Sequence, residues 1–165
     1  MTKRTINALT LLGIALGSAS IITTIMFEAL ALAGVFIALS AIIDRYDGIL
    51  ARKHGVQSRI GQILDSINDL VSFVAAPVTM LLVSRLISTP LSIIIAVFYT
   101  AAGIYRLKRF HDRGDAKDIL GLPTTLSGLL LVGVIIFTPS EHTWIVRTAP
   151  FVLSALMMST LTMRK

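Results

Sequence analysis

The chain has 165 residues, is 55% hydrophobic and only 15% charged, with a mean hydropathy of +0.82. A soluble domain of this length would carry about a quarter charged residues, so a soluble globular protein is excluded and a single membrane domain over residues 1–165 is expected. Cysteine is absent, which excludes disulfides and thiolate metal sites, and the net charge of +6 lies in short Lys/Arg clusters between apolar blocks, the pattern of cytoplasmic loops rather than of a nucleic-acid surface.

Crossing a hydrocarbon core of about 30 Å takes roughly 20 helical residues. Six segments meet that need, at 6–26, 29–51, 59–84, 89–108, 119–138 and 144–163. The first, Ile6 to Met26, follows the basic head Met1–Arg4. It is longer than a signal-peptide core, and no small-residue cleavage site closes it. The second and third segments each pair an apolar half with a half carrying acids and bases. After the fourth comes the most polar stretch, 109–118, which reads as a solvated loop or part of a phosphate-binding rim. Proline and glycine open the fifth segment, and the sixth runs almost to the last residue. His54 and His142 read as interfacial residues, and His111 has no assigned role.

With six spans both termini share a side. That side holds Lys3, Arg4, Arg45, Arg52, Lys53, Arg59, Arg106, Lys108, Arg109, Arg113, Lys117, Arg164 and Lys165, against Arg85 and Arg147 on the other. The bias predicts an all-α integral membrane protein, a six-transmembrane-helix bundle with both termini cytoplasmic. The connections at 52–60 and 106–118 would face the cytoplasm.

Four of the nine acids fall between 44 and 69: Asp44, Asp47, Asp65 and Asp69. Carboxylates at the edge of a membrane core are costly and point to function. Asp44 and Asp47 are three residues apart on one helical face, continued by the small residues Gly48 and Ala51. On the next helix Gly61, Asp65 and Asp69 recur every four residues. Opposing these faces brings four carboxylates together, and like charges so placed need cations among them. Oxygen ligands suit Mg²⁺, Mn²⁺ or Ca²⁺ rather than Zn²⁺. The small residues let a bulky ligand approach the backbone, and Arg52 offers a planar fork for phosphate. Any one aspartate would equally serve as a helix-end partner of Arg45, Arg52, Lys53 or Arg59. That alternative accounts neither for the four together nor for the small residues on their faces.

The run Asp44-x-x-Asp47-Gly48-x-x-Ala51-Arg52, then eight residues, then Gly61-x-x-x-Asp65-x-x-x-Asp69 resembles, without substitution, the signature of the CDP-alcohol phosphatidyltransferases. The six-segment layout is similar too. The resemblance implies attack of an alcohol on the β-phosphorus of a CDP-lipid, with CMP leaving. It implies that Asp44, Asp47 and Asp65 hold one or two Mg²⁺ or Mn²⁺ ions, with Ca²⁺ as a non-productive occupant. Asp69 would share or face that site and act as general base. Gly48, Ala51, Arg52 and Gly61 would line the donor pocket with Asp44, joined by Asn7 and Thr10, which resemble the family's Asn-x-x-Thr opening. A homodimer in the cell membrane with a cytoplasm-facing site is also implied.

Three further stretches look most like the phosphatidylserine synthase branch: Asp65-Ser66-Ile67-Asn68-Asp69-Leu70-Val71-Ser72-Phe73, Gly103-x-x-Arg106-Leu107-x-Arg109-Phe110, and Gly121-Leu122-Pro123. L-serine is therefore the expected acceptor, on a diacylglycerol or ether-lipid donor, with Arg106, Arg109 and Ser66 as acceptor-binding candidates. Departures are Gly13 for the branch's frequent Asn, Val74 for Gly, His111 for Asn and Thr125 for Pro. They fall near where the acceptor would bind and leave the signature intact. Glycerol phosphate, inositol phosphate or another alcohol is the alternative acceptor. A small cation channel or transporter is the non-enzymatic alternative.

Overall fold

The computed structural model describes residues 3–53, 59–84, 86, 88–113, 119–160 and 162–163. Among these, six helical rods follow one another: α1 Lys3–Phe27, α2 Leu30–Lys53, α3 Arg59–Val83, α4 Thr89–Arg113, α5 Thr124–Phe137 and α6 Thr143–Met158. Three of them are long and apolar enough to cross a membrane: Thr5–Phe27 in α1, Arg59–Val83 as α3, and Pro90–Phe110 in α4. α5 and α6 are apolar but shorter. α2 is long enough, and its last turns carry the charged residues Asp44, Arg45, Asp47, Arg52 and Lys53.

The expected fifth span, 119–138, starts instead at Thr124. Gly121 takes the left-handed conformation (φ 74°), and Pro123 precedes the first helical turn in an extended backbone. Neither fits a helix interior. Ile119 and Leu120 form a two-residue antiparallel ladder with Met163 and Thr162. The expected sixth span accordingly stops at Met158, where Ser159 is extended. The polar stretch expected as a loop from 109 is helical through Arg113; 114–118 lie outside the described residues, as do 54–58 and Arg85.

Large apolar side chains face outward along the rods, among them Leu12, Ile25, Leu32, Ile63, Val97 and Val152, while Ser20, Thr24, Ser40, Ser72, Ser127 and Ser154 are fully or almost fully buried. This distribution is what lipid as solvent produces: apolar outside, with small and polar residues between the helices. α1 and α2 form a tight antiparallel hairpin, turned at Glu28 in the left-handed region (φ 49°). α3 is central and touches α1, α2, α4 and α5. Its core includes Phe73, Val74, Met80 and Leu81, packed with Ile37, Ile95, Tyr99, Leu131, Val146 and Met157.

The middle of α3, Leu70–Ala75, widens into a π-helical turn. Pro77 supplies a cause. It has no N–H for the Phe73 carbonyl four residues earlier, and π turns and neighbouring side chains commonly absorb such a loss within membranes. Here the Tyr99 hydroxyl of α4 donates to the Phe73 carbonyl (3.4 Å) and pairs with the Ser127 hydroxyl of α5 (3.1 Å). The widening follows Asp69, so the four-residue spacing of Gly61, Asp65 and Asp69 stays α-helical.

Candidate active site

The polar ends of α2 and α3 face each other beside α1. One carboxylate oxygen from each of Asp44, Asp47 and Asp65 lies within 4.8 Å of the other two. Three anionic groups this close repel unless a cation joins them, and their oxygens are the donor set a hard divalent ion takes. The residues therefore fit a Mg²⁺ or Mn²⁺ site on their own chemistry.

Two of the three ligand candidates, Asp47 and Asp44, are held from behind. Asp47 is only 3% exposed, and its Oδ2 accepts from the Thr10 hydroxyl of α1 at 2.6 Å. A short bond of this kind to a carboxylate is strong and fixes its rotamer. The Thr10 hydroxyl also lies 3.2 Å from the Ile6 carbonyl. Thr10, expected to touch the donor, thus bears on the site through Asp47. Asp44 Oδ1 accepts from the Asn68 amide at 3.0 Å, and its Oδ2 lies 3.4 Å from the Thr125 hydroxyl. Asn7 lies half-buried three residues before Thr10, and Gly48, Ala51 and Gly61 are half-buried. Arg52 is on α2, but its side chain lies outside the described residues.

Asp69 is not one of the three converging carboxylates. It sits one turn beyond Asp65, about 6 Å along the helix at 1.5 Å per residue. It interacts with the Thr125 hydroxyl and with the charges of Asp44, Asp65 and Arg106. Thr125 therefore stands between Asp44 and Asp69 with a single proton to give. Arg106 comes from α4, is 7% exposed, and donates to the Thr124 hydroxyl. Its Nε is buried with no hydrogen-bond partner among the described residues. The start of α5 at Thr124 thus sets both hydroxyls at the site.

The remaining acceptor candidates have local engagements. Arg109 reaches the C-terminus of α6, donating to the carbonyls of Met157 (3.3 Å), Met158 (3.0 Å) and Ser159 (3.0 Å). These are the carbonyls a helix end leaves open. Ser66 donates back to the Gln62 carbonyl at 3.0 Å. His142 is exposed, whereas His54 and the side chain of His111 lie outside the described residues. The departures have partners: Val74 packs beside Gly103, Thr125 meets the two aspartates, and the room left at Gly13 is taken by Asn68. Sequence reasoning singled out neither Asn68, Ser40 nor Ser72 as functional. A polar Asn next to Asp69 within the third apolar segment was the available signal.

A family model described as CDP-alcohol phosphatidyltransferase matches residues 5–161. The chain is 42% identical over 97 residues to a CDP-diacylglycerol–serine O-phosphatidyltransferase of Methanocaldococcus jannaschii, covering 59% of this chain and 47% of that protein. It is 31% identical over 113 residues to the protein of the same name from Bacillus subtilis, covering 67% and 64%. It is also 31% identical over 110 residues to an archaetidylserine synthase of Methanothermobacter thermautotrophicus, covering 60% and 46%. Each match thus spans less than two thirds of the relative's own length. The chain belongs to the CDP-alcohol phosphatidyltransferase family.

Proposed function

We propose that this chain transfers the phosphatidyl group of a CDP-lipid, diacylglycerol- or ether-based, to the hydroxyl of L-serine and releases CMP. The observation that carries the reading is the convergence of Asp44, Asp47 and Asp65, with Asp69 one turn past Asp65 and interacting with the charge of Arg106. The serine-transferring names of the relatives support the acceptor.

Asp44, Asp47 and Asp65 would hold Mg²⁺ or Mn²⁺, with Asp69 facing the site. Bound there, a divalent ion neutralises charge developing on the departing CMP phosphate. Gly48, Ala51 and Gly61 leave space for the nucleotide along the helix backbones, with Arg52 and Asn7 at its edge. Asp69 takes the serine hydroxyl proton as that oxygen attacks the β-phosphorus. The new P–O bond forms, the bond to CMP breaks, and CMP leaves with the bonding electrons.

Arg106 is the group we assign to the serine carboxylate. Its buried Nε has no hydrogen-bond partner among the described residues, and its charge interacts with Asp69. A carboxylate held there brings the adjacent hydroxyl toward the base. Arg109, bonded to three carbonyls, is better placed to fasten α6 than to bind serine. Ser66, whose hydroxyl proton goes to the Gln62 carbonyl, keeps lone pairs with which to accept from a ligand.

All six helices would span the cell membrane with both termini and the site on the cytoplasmic side, as the placement of Lys and Arg supports. A homodimer follows from the family resemblance. The acceptor test is a screen of purified protein with CDP-diacylglycerol against serine, glycerol phosphate and inositol phosphate. Phosphatidylserine is the expected product; turnover confined to a phosphorylated acceptor would contradict the assignment.

A further inference from the structure

Two i, i+4 pairs face each other across the α2–α3 contact. Ser40 and Asp44 lie on α2, and Asn68 and Ser72 lie on α3. Ser40, Asn68 and Ser72 are all completely buried. The upper rung joins the two serine hydroxyls at 2.9 Å, and the lower rung joins the Asn68 amide nitrogen to Asp44 Oδ1 at 3.0 Å. The Ser72 hydroxyl also reaches Asn68 Oδ1 at 3.1 Å, as does Ser40 at 3.3 Å. Both hydroxyls lie near the Gly13 carbonyl of α1, at 3.1 Å for Ser40 and 3.4 Å for Ser72.

The direction at Asn68 is fixed by chemistry. A carboxylate only accepts, so Asn68 must turn its NH₂ to Asp44 and its carbonyl oxygen to the serines. Each serine has one proton: that of Ser72 reaches Asn68 Oδ1 or the Gly13 carbonyl, and that of Ser40 reaches either of these or the Ser72 hydroxyl. A hydroxyl donating to the amide oxygen polarises the amide N–H that meets the carboxylate. A packing residue at this position would be apolar, because a buried amide without partners is costly.

We propose that Asn68 is a positioning residue for Asp44, holding that carboxylate in the rotamer that joins Asp47 and Asp65, with Ser40 and Ser72 fixing the amide. The proposal rests on the metal reading given above. The outer partners of metal ligands orient them, and their loss typically lowers metal affinity about 10–100-fold.

The geometry also supplies a rescue. A Cβ built on Gly13 would sit 2.9 Å from Asn68 Oδ1 and 3.3 Å from its Nδ2. An asparagine at 13 therefore clashes with Asn68, but can deliver an amide from α1 to the same space once Asn68 is removed.

The test is Mn²⁺ binding to detergent-purified protein, followed by loss of the free-ion electron paramagnetic resonance signal, with kcat and KM for CDP-diacylglycerol measured in parallel. Wild-type protein should bind Mn²⁺; failure to do so overturns the metal reading and this proposal with it. Asn68→Ala should weaken Mn²⁺ binding about 10–100-fold. The double variant Gly13→Asn/Asn68→Ala should recover most of that loss, whereas Gly13→Ala/Asn68→Ala, which restores volume without an amide, should not. Wild-type affinity in folded Asn68→Ala, or equal affinity in the two double variants, overturns the proposal while leaving the metal reading intact. Where Asn68→Ala does not fold, Ser72→Ala decides: it should weaken Mn²⁺ binding in the same direction, and unchanged binding overturns the proposal.

Discussion

The two halves of α3 solve opposite problems with one helix. From Arg59 to Asp69 the helix packs on α1, turns Asn68 to Asp44 of α2, and sets Asp69 with Thr125 of α5 and Arg106 of α4. From Leu70 to Val83 it is apolar and enclosed, with Phe73, Val74, Ala76, Met80 and Leu81 buried completely. The first half places charge where a cation is needed to relieve it. The second anchors that half with contacts that need no ligand. The π turn and Pro77 lie just past the junction, so the wider turn falls on the structural side and the aspartate spacing is untouched. Substitutions in the first half should therefore remove chemistry from a folded protein, and those in the second, apart from Ser72, whose hydroxyl reaches Asn68, should lower the stability of the fold.

The largest expected effect is at Asp69. Asp69→Asn should lower transfer by about 10²–10⁴-fold, the usual contribution of a general base, while CDP-lipid binding by the purified variant persists. Equal loss of binding and turnover would argue against the base role. Next is the carboxylate trio. Asp44→Asn or Asp65→Asn should weaken Mn²⁺ and donor binding together by at least about 100-fold, since even outer partners of a metal cost about 10–100-fold. Normal metal affinity in these variants would remove them from the ligand set. Both substitutions should leave the thermal melt in detergent close to wild type.

The second half should respond in the reverse sense. A Cβ on Gly128 of α5 would sit 2.7 Å from the Phe73 carbonyl oxygen and 2.8 Å from its Cα, and backbone does not yield as a side-chain tip does. Gly128→Ala should cost about 1–3 kcal/mol of stability by overpacking, read as a lower melting temperature. Tyr99→Phe should cost about 1–3 kcal/mol by leaving the Phe73 carbonyl without the donor that offsets Pro77. The smallest effect is at Gly133, where an added Cβ meets nothing within 4 Å. Gly133→Ala should be neutral or stabilising by up to about 1 kcal/mol through helix propensity. A destabilised Gly133→Ala with an unaffected Gly128→Ala would break the distinction between the two sites.

The reading of the chain before its structure was strongest where local spacing carries the information. The three- and four-residue intervals among Asp44, Asp47, Asp65 and Asp69 place them on two helical faces, and three of these carboxylates converge. Less was legible where partners are distant in sequence. Thr125 meets Asp44 across 81 residues, and Arg109 meets Met158 across 49. Hydropathy sees neither bond. The late start of α5 was misjudged because 119–123 are apolar enough to extend the helical pattern, although Gly121 and Pro123 forbid it. Pro77 signalled the π turn, but a proline alone does not say whether a membrane helix kinks, widens or ends. Asn68 went unremarked as a functional group because its partners are Ser40, Ser72 and Asp44, which come together only once α2 and α3 are packed.

The most direct test of the account is CMP release from CDP-diacylglycerol and serine by purified protein stripped with a chelator and then resupplied with Mg²⁺ or Mn²⁺, with Asp69→Asn alongside. The account predicts no release from stripped protein, restored release in wild type, and release lowered about 100-fold or more in Asp69→Asn under the same conditions. Full release without added metal, or restored release from Asp69→Asn, would contradict it.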